Sequence, residues 1–201
     1  MKRAYLITLF FVLAGVSSLF AQAQFSIGLK GGLNFAKFDV SDVGGSIQNK
    51  TGFHGGAFVL AKFTAFAIQP ELIFSQQGSD FTFNGQNLSS NFGYLNVPIL
   101  LKFYLPFGLN FQAGPQFGFL NSADGQILGA DGEVVDVSKD MYKNSDTSVA
   151  LGIGWDLPLR LTVDFRYNLG VSEIEDDARL TATKNQVFQL SVGYKLFKFG
   201  K

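Results

Sequence analysis

Six charged residues fall in segments where every second side chain is apolar: Lys30, Glu71, Lys102, Asp164, Arg166 and Lys195. Two carboxylates among four cations suggest a general acid and base. The surrounding cations, however, favour the ionised form of both carboxylates, which unsuits either to donate a proton. Turned into one confined interior, the six groups read as a structural charge network, because buried charges need partners. A gated narrow conduit or a proton-linked site is the functional alternative. His54, the single histidine, is a candidate base beside Gly52, Gly55 and Gly56. No convincing serine and carboxylate accompany it in the sequence. Two acidic clusters, Asp131, Glu133, Asp136 and Asp140, then Glu173, Glu175, Asp176 and Asp177, carry oxygen ligands of the kind Ca²⁺ takes. Their spacing does not follow an EF-hand loop, so they read as solvated loops. Gly28, Gly31 and Gly32 imitate part of a phosphate loop but lack its Lys-Ser/Thr and following helix. No catalytic, cofactor-binding or metal-binding residue is assigned, and no cofactor is expected.

What must position these groups is unusual in composition. The 201 residues are 47% hydrophobic and contain 23 Gly and 23 Phe, with 16 basic residues against 16 acidic. Balanced charge excludes a broad nucleic-acid footprint, and the apolar content excludes disorder. The absence of Cys excludes disulfides, thiol catalysis and Cys zinc sites. Lys2 and Arg3 precede an apolar run from Leu6 to Val16, and Ala21-Gln22-Ala23 offers small residues for a signal peptidase. The run is shorter than the roughly 20 residues of a spanning helix. Residues 1–23 are therefore expected to be a cleaved signal peptide, and 24–201 one domain.

After that segment the period becomes two. Leu95, Val97, Ile99, Leu101, Phe103 and Leu105 share one parity, as do Leu161, Val163, Phe165, Tyr167 and Leu169, and Phe188, Leu190, Val192, Tyr194 and Leu196. Similar alternation over 67–77, 109–119 and 148–157 is the mark of strands. With Phe25–Phe38 and Thr51–Phe63, less clean, the total is eight. Tight connections at Thr64, Pro106-Phe107 and Pro158-Leu159 alternate with longer polar gaps at 39–50, 82–90, 121–147 and 172–185. All long loops then lie at one end, and both chain ends at the other. The polar parity holds Lys30, Asn34, Glu71, Asn96, Lys102, Gln112, Gln116, Asp164, Arg166 and Lys195, interleaved with Gly. The apolar parity carries aromatics near segment ends, among them Phe25, Phe66, Phe74, Phe111 and Trp155. A polar lumen with an apolar outer belt distinguishes a membrane barrel from a soluble one. The expected fold is all-β, an eight-stranded antiparallel up-and-down transmembrane β-barrel. Pro70, Pro98 and Pro115 oppose this, since each removes a ladder hydrogen bond. Bulges or local bends are the expected remedy.

Gly28-Leu-Lys-Gly-Gly-Leu-Asn-Phe35, Ile68-Gln-Pro-Glu-Leu72, Tyr94-Leu-Asn-Val-Pro-Ile-Leu-Leu-Lys102, Ala113-Gly-Pro-Gln-Phe117, Asp164-Phe-Arg-Tyr-Asn-Leu-Gly170 and Val187-Phe-Gln-Leu-Ser-Val-Gly-Tyr194 occur in this order. Together they resemble the PorT-like outer-membrane β-barrel family of Bacteroidetes-type bacteria, across essentially all of the expected mature chain. The resemblance implies a Gram-negative outer-membrane location and, through the family's namesake, a link to protein secretion. It carries over no catalytic residues. The expected function is a non-enzymatic outer-membrane barrel with an envelope-structural, adhesion or secretion-associated role. An enzyme acting on lipid A or peptides, or a small channel, is the alternative. Expected partners are outer-membrane lipid, barrel-assembly machinery and envelope or secretion proteins. Ser191-Val-Gly193-Tyr194-Lys-Leu196 resembles the signal that assembly machinery reads on a closing strand, which must pair with the first.

Overall fold

The computed structural model describes residues 23–38, 46–83, 86–128, 134–136, 138–141, 143–171 and 185–200. Residues 1–22, most of the expected signal peptide, lie outside these, as do Asp131, Glu133, Glu173, Glu175, Asp176 and Asp177. The strands are β1 (Ala23–Phe38), β2 (Ser46–Phe63), β3 (Phe66–Phe83), β4 (Gln86–Tyr104), β5 (Leu109–Leu128), β6 (Val134–Asp136), β7 (Ser145–Asp156), β8 (Leu161–Gly170) and β9 (Asn185–Phe199). The three-residue β6 pairs only with Gln126–Leu128 at the far end of β5. The other eight form a closed antiparallel ring in chain order, and β1 meets β9 through pairs such as Leu33↔Leu190 and Phe35↔Phe188. Closure leaves no open edge in the ring, which is what hydrocarbon demands of a sheet.

Alternation decides which face is which. Leu29, Leu72, Phe74, Leu101, Phe111, Ile153, Trp155, Phe165 and Val192 are exposed on the outer face. Lys30, Glu71, Asn96, Lys102, Gln112, Asp164, Arg166, Gln189 and Lys195 are buried within. Polar inside and apolar outside is the arrangement of a barrel whose solvent is lipid. The outward apolar run covers Phe66–Phe74 on β3, Leu95–Phe103 on β4, Leu109–Phe119 on β5 and Leu161–Leu169 on β8. Each matches the roughly 9–11 residues of a tilted transmembrane strand. The lumen is not wholly polar. Phe58, Leu60, Ala67 and Tyr104 pack together inside β2, β3 and β4.

Two sequence expectations need correction. The prolines are not relieved by bulges. Ladder pairs are skipped beside Pro70 between β2 and β3, beside Pro98 between β3 and β4, and beside Pro115 between β4 and β5. The register is the same on both sides of each gap, for example Pro70↔Ile99 and Ile73↔Asn96 about Pro98. The register shifts lie elsewhere, at Ile27/Gly28, Asn49/His54 and Gly93/Tyr94. Each proline keeps a register partner on its other side, as Pro98 does with Gln116. A missing N–H thus costs a local pair and moves no side chain to the wrong face. The gaps 39–50, 82–90 and 121–147 are also not simply loops. Ser46–Lys50, Thr82–Phe83, Gln86–Ser90 and Asn121–Leu128 are strand, so β2 to β5 run well past the apolar belt.

Both proline-containing short turns contain left-handed backbone. Phe107 (φ 64°) precedes Gly108 (φ 85°) in one, and Leu159 (φ 61°) precedes Arg160 (φ 67°) in the other. Each closes with a backbone bond, Leu105 N–H to Leu109 O at 2.7 Å and Leu157 N–H to Leu161 O at 2.9 Å. Left-handed φ at both central residues suits the twist of a tight hairpin. Glycine meets that demand freely; arginine does not.

Candidate functional site in the barrel lumen

Alternation turns five of the six singled-out charges toward one another. Lys30 of β1 reaches Glu71 Oε1 of β3 at 3.2 Å and Asp164 Oδ2 of β8 at 3.1 Å. Arg166, two residues along β8 and so on the same face, holds Glu71 with both terminal nitrogens at 2.9 Å. This fork matches the planar carboxylate and is the strongest geometry for such a pair. Lys102 of β4 approaches Asp164 Oδ1 at 3.4 Å. Gln112 of β5 donates to Asp164 Oδ1 at 2.8 Å and accepts from Arg166 at 3.3 Å, while Gln69 donates to Glu71 at 2.7 Å. Three cations therefore face two carboxylates, linked across β1, β3, β4, β5 and β8. Lys195 lies apart from them, paired with Asp156, which also accepts from Tyr104 Oη at 3.1 Å.

A second constellation surrounds His54. Its Nδ1 is 2.8 Å from Asn34 Oδ1, and its Nε2 is 2.8 Å from Ser191 Oγ. An amide oxygen only accepts, so Nδ1 carries a proton, and in the neutral imidazole Nε2 then accepts from the serine. That is the connectivity of a serine–histidine–amide triad, with partners 20 and 137 residues away. Sequence reasoning missed Ser191 because only barrel closure brings β9 to β1 and β2. Yet Ser191 is 2% exposed, and Gln189 and Ser75 complete a closed set of bonds around Asn34. Glycine makes this approach possible: a Cβ on Gly32 would strike the Leu190 carbonyl oxygen. The arrangement fastens β1, β2, β3 and β9 to one another. Among the described residues no cluster of His, Asp and Glu could hold a metal ion. Asp136 instead accepts from Gln126 at 2.8 Å, at the exposed end of β5.

The family of the outer membrane protein beta-barrel domain matches residues 20–176. The chain belongs to that family. None of the curated proteins matches the chain. Among solved structures, Neisserial surface protein A shares 8% identity, with 86% of this chain and 97% of that chain covered and a TM-score of 0.53. Ail, the attachment invasion locus protein of Yersinia pestis, in complex with the heparin analogue sucrose octasulfate, shares 17% identity over 89% and 99%, at 0.47. OprG of Pseudomonas aeruginosa shares 12% over 89% and 95%, at 0.42. Identities this low bear on fold alone, and of these three the Neisserial protein, at 0.53, supports the barrel fold.

Proposed function

We propose that this chain is a non-enzymatic integral protein of a Gram-negative outer membrane, exported by a signal peptide removed after Ala23. Its barrel anchors the extended ends of β2 to β5 at the cell surface, for an envelope-structural or adhesive role or, following the PorT-like resemblance, a secretion-associated one. The observation that carries this reading is the network from Lys30 through Glu71, Asp164, Arg166 and Lys102 across the lumen. An eight-stranded barrel has room for little beyond its own side chains, and here those side chains bond one another. Conduction and catalysis both need space that these bonds occupy. Outer-membrane lipid, barrel-assembly machinery acting on β9, and envelope or secretion proteins at the long-loop end are the partners proposed; nucleic acid is not among them.

The test has two arms. Purified barrel in planar bilayers should give no conductance steps. A protease site placed within 121–147 should be cut on intact cells, and one at Pro158 should be protected, because bacterial barrels keep short turns inside. Discrete conductance would favour the channel, and the opposite protease pattern would invert the orientation. A hydrolase is favoured by one observation, the Ser191–His54–Asn34 connectivity, and a fluorophosphonate probe that labelled Ser191 in the folded barrel would establish it.

A further inference from the structure

The short-turn mouth of the barrel contains a cavity of about 550 Å³ lined by Gln24, Lys62, Asp156, Arg160, Lys195 and Lys198, with the turn 157–160 as one wall. This volume lies in the range of sites for small molecules. Charge inside it is lopsided. The single carboxylate, Asp156, is already engaged by Lys195 and by Tyr104. Lys62 lies 3.7 Å over the Tyr104 ring, a contact that holds its ammonium at the wall. Arg160 gives one N–H to Leu196 O at 3.1 Å. Four cations, Lys62, Arg160, Lys195 and Lys198, thus line the cavity against one carboxylate, Asp156.

The backbone supplies an independent observation. The two proline turns are closely similar in sequence, Leu105-Pro-Phe-Gly-Leu109 and Leu157-Pro-Leu-Arg-Leu161. Where the first has Gly108 in the left-handed region, the second has Arg160. Left-handed backbone is disfavoured for a non-glycine residue, so the guanidinium stands at the cavity against local preference. Strain of this kind is a pointer to function. Beside it Leu159 is 83% exposed, and Phe107 on the neighbouring turn is 93% exposed. Cations within the mouth and apolar tips on its rim together suit an amphiphile.

We propose that the short-turn mouth is a binding site for a phosphate-bearing anion, held by Arg160, Lys62 and Lys198. Phosphate oxygens match a guanidinium fork and two ammonium groups. The phosphate could belong to a lipid headgroup of the adjoining leaflet or to a soluble phosphate ester. The proposal rests on the membrane-barrel reading but not on which end faces outward.

Barrel purified in octyl glucoside is titrated calorimetrically with sn-glycerol 3-phosphate. In parallel, barrel reconstituted in phosphatidylcholine vesicles with and without phosphatidylglycerol is examined by native mass spectrometry for retained lipid. Saturable glycerol phosphate binding assigns a soluble ester; retained phosphatidylglycerol without it assigns the headgroup; neither overturns the proposal. Arg160→Gly removes a charged partner from a turn that glycine suits, so folding is preserved. Whichever ligand binds should then be held about tenfold more weakly, the worth of one charge-assisted hydrogen bond. Lys62→Gln should weaken it also. Parent-like binding by both variants would overturn the assignment, whereas barrel recovered soluble without detergent would instead overturn the membrane reading.

Discussion

At the short-turn end, each strand stops within a residue or two of its last outward apolar side chain. β2 ends at Phe63, β3 begins at Phe66, β5 begins at Leu109 and β8 begins at Leu161. At the other end β2, β3, β4 and β5 continue through Ser46–Gly52, 75–83, 86–94 and 120–128, although their outward apolar runs have finished. β7 and β8 do not continue in this way: they span only 12 and 10 residues. The contrast separates two demands that coincide inside a bilayer. In hydrocarbon a segment must both pair its backbone and face its apolar side chains outward. In water neither is compulsory, so pairing there is a property of particular strands and leaves little trace in side-chain alternation.

The largest effect should come from opening the ring in lipid. Deleting 187–201 removes almost all of β9, and with it the ladders to both β1 and β8. Outer-membrane insertion should be lost, seen as absence of the heat-modifiable band. Val192, 54% exposed in the middle of β9, tests the same wall by one side chain. Val192→Arg should cost roughly 2–4 kcal/mol. Gln189→Ser, on the inner face, gives up one bond to Asn34 at 3.0 Å and should cost about 1 kcal/mol. Equal tolerance of the two in urea titrations would refute the assigned faces.

Next is the lumen network. Glu71→Gln keeps the shape but removes the anion between Lys30 and the Arg166 fork. Breaking a buried pair by losing one partner costs about 3–5 kcal/mol. The surviving excess of cations makes the upper part of that range the expectation. Refolding yield and urea midpoint in lipid vesicles would check it, and a neutral result would mean that water reaches these groups.

What the sequence made legible follows from these same demands. Period-two alternation put Lys30, Glu71, Lys102, Asp164 and Arg166 on one face without a structure, because a one-residue slip would have placed them in lipid. It could not say who meets whom. Glu71 takes both Lys30 and Arg166, 41 and 95 residues away, and Lys195 takes Asp156, since partnership depends on stagger around the ring. Ser191 and His54 were invisible as a pair for the same reason. The outer extensions of β3, β4 and β5 read as loops because, beyond the belt, polar residues occupy both parities. The prolines misled in the other direction: a skipped pair is cheaper than a register shift that would expose a lysine to lipid.

The His54 bonds should yield a smaller loss than the ion pairs. Ser191→Ala leaves Nε2 of the imidazole without its partner and should cost about 1–3 kcal/mol. No change in covalent fluorophosphonate labelling should accompany it, because the parent is expected to take none. Smaller still, and opposite in sign, is Leu159→Gly at the short-turn end. Glycine relieves the left-handed strain at φ 61° and should raise stability by about 1 kcal/mol. The same substitution at Leu101, on the belt, should lower it.

The smallest effect on the barrel should come from shortening the β3–β4 projection. Ser79↔Ser90, Asp80↔Ser89, Phe81↔Leu88 and Thr82↔Asn87 are ladder pairs beyond the outward apolar run. Replacing 79–90 by an Asn-Gly turn between Gly78 and Asn91 retains a two-residue hairpin of the favoured type. It leaves Gln77↔Phe92 and all pairs below them in place. The trim also removes the pairs of 79–82 with Ser46–Asn49 and the pair Ser90↔Gly125, all beyond the belt, and each bond contributes little net free energy. The urea midpoint and heat-modifiable migration should therefore stay within experimental error of the parent. If the projection is the working surface proposed above, adhesion or secretion measured on cells should fall while the barrel remains intact. A barrel that failed to insert after this trim would show that the projecting strands help to build the transmembrane ring, and the two ends would then no longer obey separate demands.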